Sequence, residues 1–106
     1  MATTKVLCPL LVNGIEMRRQ HPDTFEVPPV YIKQQQAPGC LVKVSAKAPG
    51  ILNGRRTEYE KFWVEITKAE YPIFEGRIDN ELITDSLKYN DIIKFHADNI
   101  LAIYES

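Results

Sequence analysis

The stretch Glu60, Lys61, Phe62, Trp63, Val64, Glu65, Ile66, Thr67 holds the only tryptophan of a 106-residue chain, and its alternation decides the fold. Strand side chains point to opposite faces in turn, so Phe62, Val64 and Ile66 share one face while Lys61, Trp63, Glu65 and Thr67 share the other. The first set is core. The second places a large aromatic among charges, which suits either a binding surface or a second layer of chain packed over the sheet.

Outward from this strand, apolar residues recur at a period of two from Leu41 to the end of the chain, with turn signals every ten to fifteen residues. Val42, Val44 and Ala46 form one inward set with Lys43, Ser45 and Lys47 facing out, and Pro49 and Gly50 are expected to end that strand. Asn53 and Gly54 then suit a hairpin connection, because both tolerate positive φ at low cost. Phe74, Gly76 and Ile78 continue the core face on a third strand, stopped by Asp79 and Asn80, whose side chains are expected to bond local amides. Residues 82–87 are open between loop and one helical turn. Ile93 and Phe95 mark a fourth strand and Ile100 to Ile103 a fifth.

The expected strands are 41–47, 61–69, 73–79, 92–96 and 100–104, with Val44, Val64, Ile66, Phe74, Ile78, Ile93, Phe95 and Ile103 inside. The class is α+β, mainly β: a small, strongly bent antiparallel sheet or partly open barrel of about five strands. Residues 1–38 form an irregular lead to the β-rich part, 39–106, because His21–Pro22 and Val27–Pro28–Pro29 interrupt regular structure. Residues 30–36 are expected to hold the one short helix. The whole reads as a single domain, since 106 residues support one modest core.

Composition narrows the function classes. Charged residues make up 25% and hydrophobic ones 44%, an ordinary globular balance. The 13 Lys and Arg are scattered among 14 Asp and Glu for a formal net charge of −1, so no field of one sign steers a polyanion. The early run Val6, Leu7, Cys8, Pro9, Leu10, Leu11, Val12 is too short for a membrane helix and, interrupted by Pro9, poor as a signal peptide. The chain reads as cytoplasmic and as having no membrane partner, and Cys8 and Cys40 as reduced thiols.

Several of these residues resemble a known family. Glu60, Lys61, Phe62, Trp63 and Val64, then Phe74, Glu75 and Gly76, then Asp79 and Asn80, and finally Asp91, Ile93 and Phe95 before Asn99 and Ile100 are similar to the YegJ-like family, a bacterial domain of unknown function. That family carries a strand of Glu, Arg or Lys, Met or Phe, Trp and Val, followed by a Gly, an Asn in a turn, and a Gly-Asp pair opening the next strand. The likeness covers roughly residues 39–104, and His21 to Pro28 looks like the lead of related sequences. Asn90 stands where the family favours glycine before the aspartate, and asparagine also tolerates the left-handed conformation. The resemblance implies a shared fold and supplies no activity.

Trp63 is the leading candidate for a binding residue, with Tyr59, Glu65, Arg77 and Asn80 around it, since partly desolvated aromatics dominate binding energetics. The competing reading has residues 24–32 folded across the sheet, burying the ring. His21 beside Asp23, and His96 beside Asp98, read as surface groups. Cys40 lacks an orienting third group or oxyanion motif, and no paired Cys or His stands at metal-ligand spacing, so no catalytic residue, metal or cofactor is expected. The expected function is a non-enzymatic protein-interaction or immunity-type module, monomeric or a weak homodimer, whose partner is a protein. The alternative is a nucleic-acid-binding barrel in which Trp63 and Tyr59 stack bases and Arg55 and Arg56 hold phosphates, with Arg18 and Arg19 as a second basic doublet.

Overall fold

The structure, a computed structural model, describes residues 11–23, 26–52, 55–82 and 87–104, and of residues 48–52 and 55–58 it describes the backbone. Cys8, Thr24, Phe25, the Asn53–Gly54 dipeptide and residues 83–86 lie outside the described residues. Two short helices, α1 (Gly14–Gln20) and α2 (Val30–Gln34), precede strands β1 (Leu41–Leu52), β2 (Arg55–Glu70), β3 (Ile73–Ile78) and β4 (Ile92–His96). A 3-10 turn (Ala97–Asn99) leads into β5 (Ala102–Ile103). All pairings are antiparallel, in the order β4-β3-β2-β1-β5.

This order forces curvature. A flat five-stranded sheet would hold its outer strands about 19 Å apart. The five residues joining β4 to β5, three of them in the 3-10 turn, reach only roughly 16 Å at about 2 Å per 3-10 residue and 3.4 Å otherwise. The sheet therefore curls, yet β4 and β5 do not pair and it stays open. A register shift in β2 between Ile66 and Lys68 sharpens the bend. Inside the curl lie Val42, Val44, Ala46, Phe62, Val64, Ile66, Phe74, Ile78, Ile93, Phe95 and Ile100, with Phe74 and Phe95 stacked at 5.6 Å. Each large apolar side chain so buried contributes about 1.5 to 3 kcal/mol.

Alternation along the tryptophan strand is as expected: Phe62, Val64 and Ile66 are buried and Trp63 and Glu65 are not. Ile103 is only partly buried, and Ile100 takes the enclosed position, because β5 pairs with β1 at just two residues and lies at the sheet's margin. Pro49 and Gly50 do not end β1. The strand continues to Leu52 across a register shift between Lys47 and Gly50, the kind of irregularity at which proline is tolerated within a sheet. Ser45, on the outer face, is buried: Val12 N–H donates to the Ser45 carbonyl, and Val12 and Met17 wall a cavity beside it.

The helix expected in residues 30–36 is α2. The first, α1, was not expected, although Asn13 accepts a hydrogen bond from Glu16 N–H as its cap, and Arg18 and Arg19 stand in its last turn, favourably placed for the helix dipole. Asn90 adopts φ 74°, as its place in the turn requires. Among the described residues no helix is long and apolar enough to cross a membrane.

Candidate functional site

The curl leaves the outer face of β1, β2 and β3 carrying Trp63, and hydrogen bonds fix the backbone on both sides of the ring. Asp79 N–H donates to the Trp63 carbonyl, and Trp63 N–H donates to the Asn80 side-chain oxygen at 2.5 Å. Asn80 thus extends the β2–β3 pairing, whose backbone register ends at Val64 and Ile78, by one side-chain bond. It is a long-range clamp rather than the local turn former expected, because β3 ends just where Trp63 still lacks an acceptor.

Trp63 is half-buried. Its ring meets Tyr104 edge-on at 5.7 Å, and Lys43 Nζ lies 4.8 Å from its centroid. Both contacts follow from register, since Lys43 pairs with Trp63 on one side and Ala102 on the other, which sets Tyr104 diagonally across β1. Tyr104 itself is 53% exposed. Of the 24–32 segment, Glu26, Val27, Pro28, Pro29 and Ile32 line a cavity of about 290 Å³ with Leu101 and Ile103.

On the β3 side, Arg77 gathers the acids. Its guanidinium donates to Glu65 at 2.7 Å and to Asn90 Oδ1 at 2.7 Å, stands 3.4 Å from Asp79, and lies over the Tyr89 ring at 5.8 Å. The Glu65 hydrogen bond pushes its pKa above the ordinary value, desolvation opposes it, and Tyr89 and Asp79 add smaller upward effects. Two carboxylates share this one cation, so this end of the face is net negative.

Trp63, Glu65, Arg77 and Asn80 therefore share one surface. Tyr59 lies on the same face of β2 but four residues, about 13 Å, from Trp63. It lines a largely apolar cavity of about 150 Å³ with Val12, Met17, Ser45, Lys61 and Leu101. Arg55 and Arg56 pair with Leu52 and Ile51 at the far end of the hairpin, and their side chains lie outside the described part. Tyr104, Lys43 and Tyr89 complete the surface without having been singled out beforehand. Period-two alternation through Ala102 offered a signal for Tyr104, but its meeting with Trp63 needs the β1–β5 register.

His21 is exposed beyond α1, whereas His96 is a structural cap: its Nδ1 accepts from Asp98 N–H, and its own N–H donates to Asn99 Oδ1. Cys40 is a free thiol packed against the core. Among the described residues no three His, Cys, Asp or Glu side chains are grouped so as to hold a metal ion. Scans of protein-family models, of curated proteins and of solved structures returned no match to the chain.

Proposed function

We propose that this chain is a YegJ-like, non-enzymatic domain of the bacterial cytoplasm that binds another protein through the Trp63 face, an immunity-type inhibitor being one form of such a module. The observation that carries this reading is a half-buried tryptophan on the solvent side of a rigid sheet, set edge-on against an exposed tyrosine. A fixed backbone holds the ring, so little freedom is lost when a partner covers it, and a large aromatic then contributes strongly to affinity. Base stacking is less well served, since Lys43 already lies against the ring and Tyr59 stands about 13 Å away.

Fluorescence of the free protein tests this, because Trp63 is the only tryptophan. The expected emission is red-shifted and quenched by iodide, and Trp63→Ala should weaken partner binding by about 2 kcal/mol or more while the fold stands. Blue emission immune to iodide, with Trp63→Ala unfolding the protein, refutes the reading.

A further inference from the structure

We infer that the occupant of the Trp63 face is an extended, carboxylate-rich segment of the partner protein, an inference that rests on the protein-binding reading above. The β1–β2 register sets Lys43 opposite Trp63, Ser45 opposite Lys61 and Lys47 opposite Tyr59. The outer face of these three pairs carries three lysines and two aromatics and no acid. Lys47 and Lys61 are exposed, and none of the three lysines forms an ion pair among the described residues. Glu65, the next acid on this face of β2, is committed to Arg77.

A concentration of positive charge in a chain of net charge −1 calls for a negative complement. Successive pairs on one face recur about every 6.7 Å, the repeat at which an extended peptide presents alternate side chains. Val12 and Met17 stand beside the buried Ser45 of the middle pair, so the open strip runs along β2. There carboxylates at alternate positions meet Lys43 beside Trp63, then Lys61, then Lys47 beside Tyr59, while their aliphatic stems lie on Trp63 and Tyr59. The apolar cavity of about 150 Å³ beside Tyr59 and Lys61 adds a seat for one apolar side chain, being of the size that accepts benzene in an engineered core. A nucleic acid fits less well, because Arg77, the one guanidinium on this face among the described residues, is already paired with Glu65 and Asp79.

The test uses the intact protein and a synthetic ten-residue peptide alternating Glu and Thr with one Leu, its Lys-for-Glu counterpart, and a single-stranded oligonucleotide, each titrated against Trp63 fluorescence. The Glu peptide should give a saturable change, its affinity falling about tenfold from low salt to a few hundred millimolar. Lys43→Glu and Lys61→Glu should each reduce affinity by about tenfold or more with the melting temperature unchanged, and the Lys peptide should be silent. No response to the Glu peptide, equal response to both peptides, or preference for the oligonucleotide overturns the inference. If the ring is quenched by iodide yet the Glu peptide fails, only the acidic partner is refuted; a ring closed to iodide refutes the binding face itself.

Discussion

Gly76→Ala is the most direct test of how tightly the sheet folds on itself. Gly76 sits mid-strand in β3, between Ile66 of β2 and Ile93 of β4. A methyl group there would point inward, overlap Val64 Cγ1 and stand 2.8 Å from the Glu65 carbonyl oxygen, where carbon atoms in contact prefer about 3.5 to 4.0 Å. Neither neighbour yields easily. Val64 is β-branched, fully enclosed and restricted at χ1, and the Glu65 carbonyl belongs to the backbone of a central strand. Forcing an extra carbon into a packed core costs about 1 to 3 kcal/mol, and the chain entropy saved on replacing glycine returns about 0.5 to 1. With both contacts this close the upper half of that cost applies, about 2 to 3 kcal/mol, so the net expected loss is about 1 to 2.5 kcal/mol, and each kcal/mol lowers the melting temperature of a domain this size by about 4 to 8 °C. Circular dichroism melts and urea titrations of Gly76→Ala, Val64→Ala and the double variant measure it. Val64→Ala alone should cost about 1 to 3 kcal/mol, and the double variant should cost less than the sum because the truncation makes room for the new methyl. An alanine at 76 that leaves stability unchanged, or strict additivity in the cycle, would refute the close approach.

Burial pushes the Lys33 ammonium of α2 below its ordinary pKa, with the charge of Asp98 opposing, and the residue is 2% exposed. Below its folded-state pKa the protein bears the full cost of that buried charge, and stability recovers as pH rises through that value toward 10.5. Lys33→Met should therefore stabilise by about 1 to 2 kcal/mol at neutral pH, with the advantage shrinking in alkaline buffer; urea midpoints at the two pH values decide it, and a destabilised variant at neutral pH refutes it. Asn80→Ala should cost about 1 kcal/mol by stripping Trp63 N–H of its acceptor, while Asn80→Asp, which keeps an oxygen there, should cost less; equal melting temperatures for the two variants would deny the clamp.

The central sheet was legible because alternation is local. Phe62, Val64, Ile66, Phe74, Ile78, Ile93 and Phe95 announce their face at a period of two, and nothing distant overrides them. What escaped was set by long-range geometry. Asn80 reads as a turn residue until β3 is seen to end opposite Val64, and Ser45 reads as solvent-facing until Val12 and Met17 are seen beside it. α1 was legible in principle, since Asn13, Glu16 and the paired arginines are start and stop signals, but its seven residues give too few turns for a periodic pattern. Of the candidate surface, Trp63, Glu65 and Arg77 came from strand parity, whereas Tyr104 depended on a pairing between positions some sixty residues apart.

β5 contributes only two ladder pairs, extended by Leu101 N–H to the Lys43 carbonyl and Tyr104 N–H to the Leu41 carbonyl. So slight a strand opens by local fluctuation at far lower free energy than β2 or β3, whose amides are released only when the whole sheet comes apart. Every such opening withdraws Tyr104 from Trp63, so the proposed binding face would persist only in proportion to the time β5 stays docked. Deuterium should enter the amides of Leu101 and Tyr104 well before that of Val64. A ligand gripping the aromatic pair would slow that entry, recording its arrival at a strand whose opening it never needs to touch.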